Sequence, residues 1–346
     1  MKLKRLFILI SSSFFAFSIL TYFVLAKNSR FSHSVTLGIC YRLKLLLSKV
    51  SSLIKAPIFE IIIVISPIIV LLLVKYVISK GGYTKEKFVF ILALLSFIPS
   101  VYVFTLGIPS KNERGVLQNV IYENPSEEEV ILAANILIDR LNAISCSEKE
   151  LNVGFDREII SSYSEIYSDT GLDASRLPRP KKSIIGKILS YLGIHSLLAF
   201  PTGEIIINPN IPPHAVPFSL AHEYAHFVGE PTEALANFAA YLACINSKNE
   251  YIAYSGYVSA LEYFLADISV NSPEMYTNIY NTIPNRVKSD IEAFRDYNRK
   301  YESYGIYKLA DRLNSRYLNI VDSYGEGSYS LVTRYVTSIT LLDKGS

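Results

Sequence analysis

Cysteine is scarce in this 346-residue chain, with three residues in all. Cys40, Cys146 and Cys244 follow no shared spacing, which excludes both a disulfide framework and a cysteine-built zinc knuckle. Cys244 reads most simply as a core residue. The formal net charge is only +3. No glycine-rich phosphate loop, basic recognition helix or patch of interleaved aromatic and basic residues is present, so nothing supports a nucleotide or a nucleic acid as partner. Internal repeats and low-complexity runs are also missing. Histidine is nearly as rare as cysteine, at five residues, and that scarcity makes its placement informative.

Two of the five histidines lie four apart in His222, Glu223, Tyr224, Ala225 and His226, an HExxH pentapeptide. On a helix, residues four apart share a face, so both imidazoles reach one zinc ion while Glu223 points at the water that the ion activates. Leu220, Ala221, Tyr224, Ala225 and Val228 give the segment an apolar helical period, and Pro217 suits its first turn. Gly229 and Pro231 then stop the helix, and a second helical pattern runs over 232–245. A tight helical hairpin is therefore expected.

In that hairpin Glu233 falls in the first turn of the returning helix. There its carboxylate completes a three-ligand set with His222 and His226 and leaves the fourth position to water. Glu230 is the rival third ligand, but it precedes a proline and sits on the turn itself. Asn237, one turn beyond Glu233 and facing the same way, offers an oxygen to the second nitrogen of a metal-bound imidazole. The alternative for Asn237 is a bond to nearby backbone. One catalytic Zn2+ is the expected cofactor.

Half of all residues are hydrophobic, and the excess is concentrated in the first 110. Apolar runs at about 6–26, 58–78 and 88–106 are long enough to cross a bilayer as helices. A lipid bilayer is thus the expected partner of a membrane anchor over 1–110. The first run, behind Lys2, Lys4 and Arg5, also resembles a signal peptide ending at Val24, Leu25 and Ala26, but its apolar core is long for one, and an uncleaved anchor is preferred. Over about 37–55, Ile39, Leu43, Leu46, Val50 and Leu53 form a helical stripe with Arg42, Lys44, Lys49 and Lys55 elsewhere around the helix, the pattern of an interfacial amphipathic helix. Basic residues lie on both sides of the spans. The dense amino-terminal flank favours a cytoplasmic start and an extracytoplasmic domain.

Residues 111–346 have the composition of a single soluble domain. Ser126 and Glu129 form a capping box before a helix, and helical spacing recurs over 157–167, 252–266, 284–301, 309–321 and 329–342. Residues 196–208 instead read as two strands around a turn at Pro201, Thr202 and Gly203, and Lys181, Lys182, Ile184 and Ile185 suggest a further strand. A hairpin before the metal helix suits a peptidase, because a strand edge can hold an extended peptide over the ion. It serves equally well as a packing element.

Several of these residues together resemble a known family. Leu189 to Gly193, Phe200 to Glu204, the HEYAH pentapeptide, Gly229, Glu233, Asn237 to Cys244 and Tyr254 to Tyr257 are similar to a bacterial membrane-protein family catalogued as domain of unknown function 3810. So are Asn314, Tyr317, Leu318 and the Gly327, Ser328, Tyr329 turn. The resemblance implies three amino-terminal spans and a zincin-like domain of the gluzincin type, a presumed metallopeptidase of unknown substrate. The family often has a second acidic residue where this chain has Leu235, and a polar one where it has Phe227.

The expected architecture is an α-helical anchor of three transmembrane helices followed by a mainly α, α+β zincin-like domain with a small β-hairpin before the HExxH helix. The expected function is zinc-dependent hydrolysis of peptide bonds, with Glu223 as general base and proton carrier. Tyr254 and Tyr257 are candidate oxyanion donors, although with 25 tyrosines any one is more often structural. His195 and His214 read as ordinary loop histidines. Two other functions fit the residues: a membrane scaffold or sensor whose zinc site is structural or inactive, and a zinc amide hydrolase acting on a non-protein envelope substrate. A lost general base would favour the scaffold, and Glu223 is present.

Overall fold

The computed structural model describes residues 2–25, 29–79, 85–111, 117, 124–144, 154–302, 308, 312 and 328–345. The segment expected as a helix over 309–321 lies almost wholly outside the described residues, as do Cys146, Asn314, Tyr317, Leu318 and Gly327.

Three helices are long and apolar enough to cross a membrane: α1 (Lys2–Leu25), α4 (Ile58–Ile78) and α5 (Lys85–Tyr102), the last continuing as a π-helical turn, Val103–Gly107. Between α1 and α5, Phe7 meets Phe90, Phe14 meets Phe97 and Ser18 Oγ donates to Ser100 Oγ at 3.3 Å. The partners advance together along both helices, so α1 and α5 run parallel and α4 returns between them in sequence. The domain that follows lies at the end of α1 opposite the chain start.

Helix α2 (Ser29–Val35) leads through a π-helical turn, Thr36–Cys40, into α3 (Tyr41–Ser51). This segment is inside out by the standards of a soluble helix. Ile39, Leu46, Val50 and Leu53 are exposed, Leu53 at 84%, while Tyr41, Lys44, Ser48 and Ser51 are buried against the domain. A helix surrounded by water would reverse that arrangement. Of the expected stripe, Leu43 differs, being partly buried against the cluster of Cys40, Phe104 and Ile108.

In the domain, Ser126 and Glu129 close the expected capping box on α6 (Glu127–Ala143). Next come α7 (Phe155–Ile166), β1 (Lys181–Lys182), the short α8 (Gly186–Tyr191), β2 (Ser196–Ala199) and β3 (Glu204–Ile207). Helices α9 (Val216–Val228), α10 (Glu233–Ile245), α11 (Glu250–Asn271), α12 (Pro273–Thr282), α13 (Asn285–Glu302) and α14 (Ser328–Gly345) complete the described chain. Helices α9 and α10 form the hairpin at the centre of one apolar core that includes Tyr224, Phe227, Phe238, Leu261 and Phe264. On α11, Gly256 lets the backbone approach Cys244, since a Cβ there would stand 2.5 Å from the cysteine Cβ. Cys244 is a fully buried core residue, as expected.

The sheet has the order β1-β3-β2, with β1 parallel and β2 antiparallel to β3. Register runs from Ser196 opposite Ile207 to Ala199 opposite Glu204. The expected first strand is shorter than its apolar pattern suggested: it ends at Lys182, because the Ile184 N–H turns away to donate to Glu60 Oε2 at 2.7 Å. Around this point the sheet is tied to the second span. Glu204 accepts from the N–H groups of Ile58 and Phe59 at 2.9 and 2.8 Å, filling two of the orphan donors at the start of α4. Lys181 Nζ donates to Glu204 at 2.6 Å and to the carbonyls of Ser51, Ile54 and Ala56 at 2.8, 2.7 and 3.1 Å.

Candidate metal centre

His222 and His226 project from one face of α9, their Nε2 atoms 3.2 Å apart. The first residue of α10, Glu233, reaches both, with Oε2 3.3 Å from His222 Nε2 and Oε1 3.4 Å from His226 Nε2. The turn between the helices brings them together. Gly229 ends α9 at φ +119°, its N–H and that of Glu230 both fold back on Ala225 O, and Thr232 Oγ1 caps α10 by accepting from Leu235 N at 3.2 Å. Glycine accepts this backbone without strain.

The remaining ring nitrogens show that this donor set suits a metal. His222 Nδ1 donates to Asn237 Oδ1 at 2.8 Å, and His226 Nδ1 donates to the Glu230 carbonyl at 3.0 Å. With the Nδ1–H groups engaged from outside, both Nε2 atoms are left to face each other and a carboxylate, an arrangement that calls for a cation, proton or metal. Glu233 meets each imidazole with a different oxygen, and one ligand atom from each of the three residues lies within 4.8 Å of the others, close enough to share a single ion. No other group of three or more such ligand atoms was found among the described residues.

Electrostatics point the same way. Burial opposes a charge on His222, but the Glu233 carboxylate, with Glu223 and the Asn237 bond behind it, outweighs burial and lifts the imidazole to about 9. Burial alone would raise Glu233, yet His222 and His226 hold it well below the usual carboxylate range. The Glu233 side chain remains 35% exposed, so the cluster opens to solvent on that side.

Behind the cluster, Glu223 is buried and Oε1 accepts from Ser196 Oγ at 2.7 Å. Residue reasoning missed Ser196, since only the placement of β2 on α9 creates the contact. It also missed Lys44. Fully buried in α3, that ammonium donates to the His226 carbonyl at 3.0 Å and lies over the Phe227 ring. The His226 carbonyl belongs to the last turn of α9, where carbonyls lack helical partners and a cation is favoured.

The rival ligand points elsewhere. Glu230 Oε1 accepts from Tyr167 Oη at 2.7 Å and from Leu117 N at 3.2 Å. Leu235 is buried in the core, so the position two beyond Glu233 does not face the cluster. Of the two tyrosines, Tyr254 donates its hydroxyl proton to Asp290 at 2.5 Å and carries Arg286 on its ring. Tyr257 stands edge to face against Tyr241, which lies on the same face of α10 as Glu233 and Asn237. His195 Nε2 lies 3.0 Å from Asn298 Oδ1, and His214 Nδ1 lies 3.6 Å from Asp290.

A family model described as "Protein of unknown function (DUF3810)" matches residues 38–337. The chain belongs to this family. No curated protein and no solved structure matches it. The DUF3810 match begins inside the turn that leads into α3, so the Lys44 helix, spans α4 and α5, the sheet and the metal-site hairpin all lie within the matched region. In this DUF3810 member a candidate metal-binding triad sits in a membrane-anchored, mainly α domain.

Proposed function

We propose that the protein is a membrane-anchored zinc metallopeptidase, with zinc held by His222, His226 and Glu233. The observation that carries the reading is the convergence of one ligand atom from each of His222, His226 and Glu233 within 4.8 Å of one another, with both imidazoles oriented by their Nδ1 hydrogen bonds and Glu223 one residue along the same helix. When bound, zinc polarises the scissile carbonyl and acidifies water. Glu223, held by Ser196, takes the proton from the attacking water and delivers it to the leaving nitrogen. Asn237 and the Glu230 carbonyl keep both imidazoles in the tautomer that presents Nε2. As an edge strand beside Glu223, β2 offers backbone groups to an extended peptide. Tyr254, whose hydroxyl proton goes to Asp290, and Tyr257 are the candidate donors to the oxyanion. The basic amino-terminal flank of Lys2, Lys4 and Arg5 favours a cytoplasmic start, and three passes from there lead to an extracytoplasmic domain.

The test is zinc analysis and peptide cleavage by the purified full chain beside Glu223→Gln. Zinc retained by both proteins with cleavage lost only in the variant is expected, a fall of about 100- to 10,000-fold for removal of a general base. A folded wild-type protein that takes up no zinc overturns the reading. Zinc uptake without cleavage of any peptide would favour the scaffold or the non-protein amide hydrolase.

A further inference from the structure

The candidate site is fastened to the membrane anchor at three points. First, Lys44 of α3 bonds the His226 carbonyl, while the opposite side of α3 presents Leu46, Val50 and Leu53 outward. One helix, about 10 Å across, thus separates the backbone of a metal-site residue from this exposed apolar stripe. Second, the turn joining β2 to β3 rests on the anchor. Gly203, at φ +63°, lies so close to α3 that a Cβ would stand 2.6 Å from Lys44 O and 2.8 Å from Ser48 N, and Phe200 stands edge to face on Tyr102 of the third span. Third, Glu204 closes the first turn of α4, with Lys181 bridging to the carbonyls just before it.

These ties set a height. Glu204 marks the residue at which the second span begins, and Phe200 touches the third span before its end at Gly107. From Ala199 to Ser196, which holds Glu223, the chain rises only about 10 Å as a strand. Among the described residues, each tie joins the sheet or α9 directly to α3, α4 or α5.

The geometry points to a substrate class: polypeptides anchored in the same bilayer, cut within a few residues of where they leave it. This rests on the peptidase reading above. A bond held beside β2 lies about 10 Å from the membrane surface, a distance that an extended chain covers in about three residues. Because the ties hold the site at this height, bonds far along a soluble tail reach it only if the tail folds back to the surface.

The full chain is placed in nanodiscs with zinc, and a degenerate peptide library is offered in three forms: free, fused directly to a transmembrane helix, and fused through a proline-rich spacer of about 12 residues, which holds it roughly 37 Å away. Cut positions are mapped by mass spectrometry. Expected are cuts within about six residues of the bilayer exit in the directly fused library, at least about tenfold faster than in the free one, with the advantage lost through the spacer. Equal cleavage of the free library, or cuts that ignore distance from the bilayer, overturns the substrate class and leaves the peptidase standing. No cleavage of any library overturns the peptidase reading and this one with it.

Discussion

Ser196 has one hydroxyl proton and two oxygens within reach, Glu223 Oε1 at 2.7 Å and Ser219 O at 3.3 Å. The carboxylate is both nearer and charged, so it takes the proton. A hydrogen bond to a charged group contributes about 1.5–3 kcal/mol. Ser196→Ala is accordingly expected to lower kcat by roughly 10- to 100-fold with zinc content unchanged, a pairing that steady-state kinetics and metal analysis together resolve. Asn237 bears instead on a candidate metal ligand, through His222 Nδ1. Asn237→Leu removes the acceptor of His222 Nδ1 and should weaken zinc about 10- to 100-fold in chelator competition, whereas Asn237→Asp keeps an acceptor and should recover most of it. Asn237 and Glu233 were legible from spacing alone, because i and i+4 share a helical face. Nothing local marks Ser196 or Lys44, whose partners lie far away in sequence.

Elements tell a similar story. The stripe in 37–55 is visible as periodicity, and its outward apolar face follows the pattern. Which neighbour covers the other face does not follow from it. The answer is the β2–β3 turn, and the tightest point is Gly203. Gly203→Ala would set a Cβ against two backbone atoms of α3 at 2.6 and 2.8 Å, in a left-handed conformation that alanine resists. Neither backbone atom belongs to a flexible tip that can swing aside. A loss of about 2 kcal/mol or more is expected, read as a lower unfolding temperature of the full chain in detergent. If Gly203→Ala unfolds like the wild type, the close seating of the turn on α3 is wrong. The strand at 181–185 shows the limit of pattern reading. Ile184 and Ile185 carry strand propensity, but the buried Glu60 carboxylate captures their N–H groups and the ladder stops at Lys182.

At the scale of the whole molecule, buried charges join the anchor to the domain. Glu204 accepts from two backbone N–H groups, from Thr202 Oγ1 and from Lys181 Nζ. Glu204→Ala leaves the first turn of α4 without its acceptors and Lys181 without its buried counter-ion. Breaking such a pair costs about 3–5 kcal/mol. The expected result is a protein that unfolds at lower temperature and is newly cut by added protease around 51–58, where the carbonyls bound by Lys181 lie. Unchanged protease resistance would show that the knot does not hold sheet and span together. In the sequence Glu60 is only one charge near the start of the second apolar run, and Lys181 only a basic residue of a short strand pattern. Their roles depend on groups more than a hundred positions away.

The amino-acid sequence by itself determined the spans, the metal-site hairpin and the candidate ligands, because each depends on short-range periodicity: runs of about 20 apolar residues, histidines four apart, and a glycine and a proline that stop one helix before another begins. Tertiary structure decided between Glu230 and Glu233, since the turn geometry sends Glu230 to Tyr167 and brings Glu233 to both imidazoles. It also decided that α3 seats on the metal helix, that Ser196 holds Glu223, and that the site stands close above the anchor. Those contacts join distant segments through a lysine, a serine and a glutamate, residue types common on any surface. Their partners become definite only when packing excludes water and each buried polar group must find one.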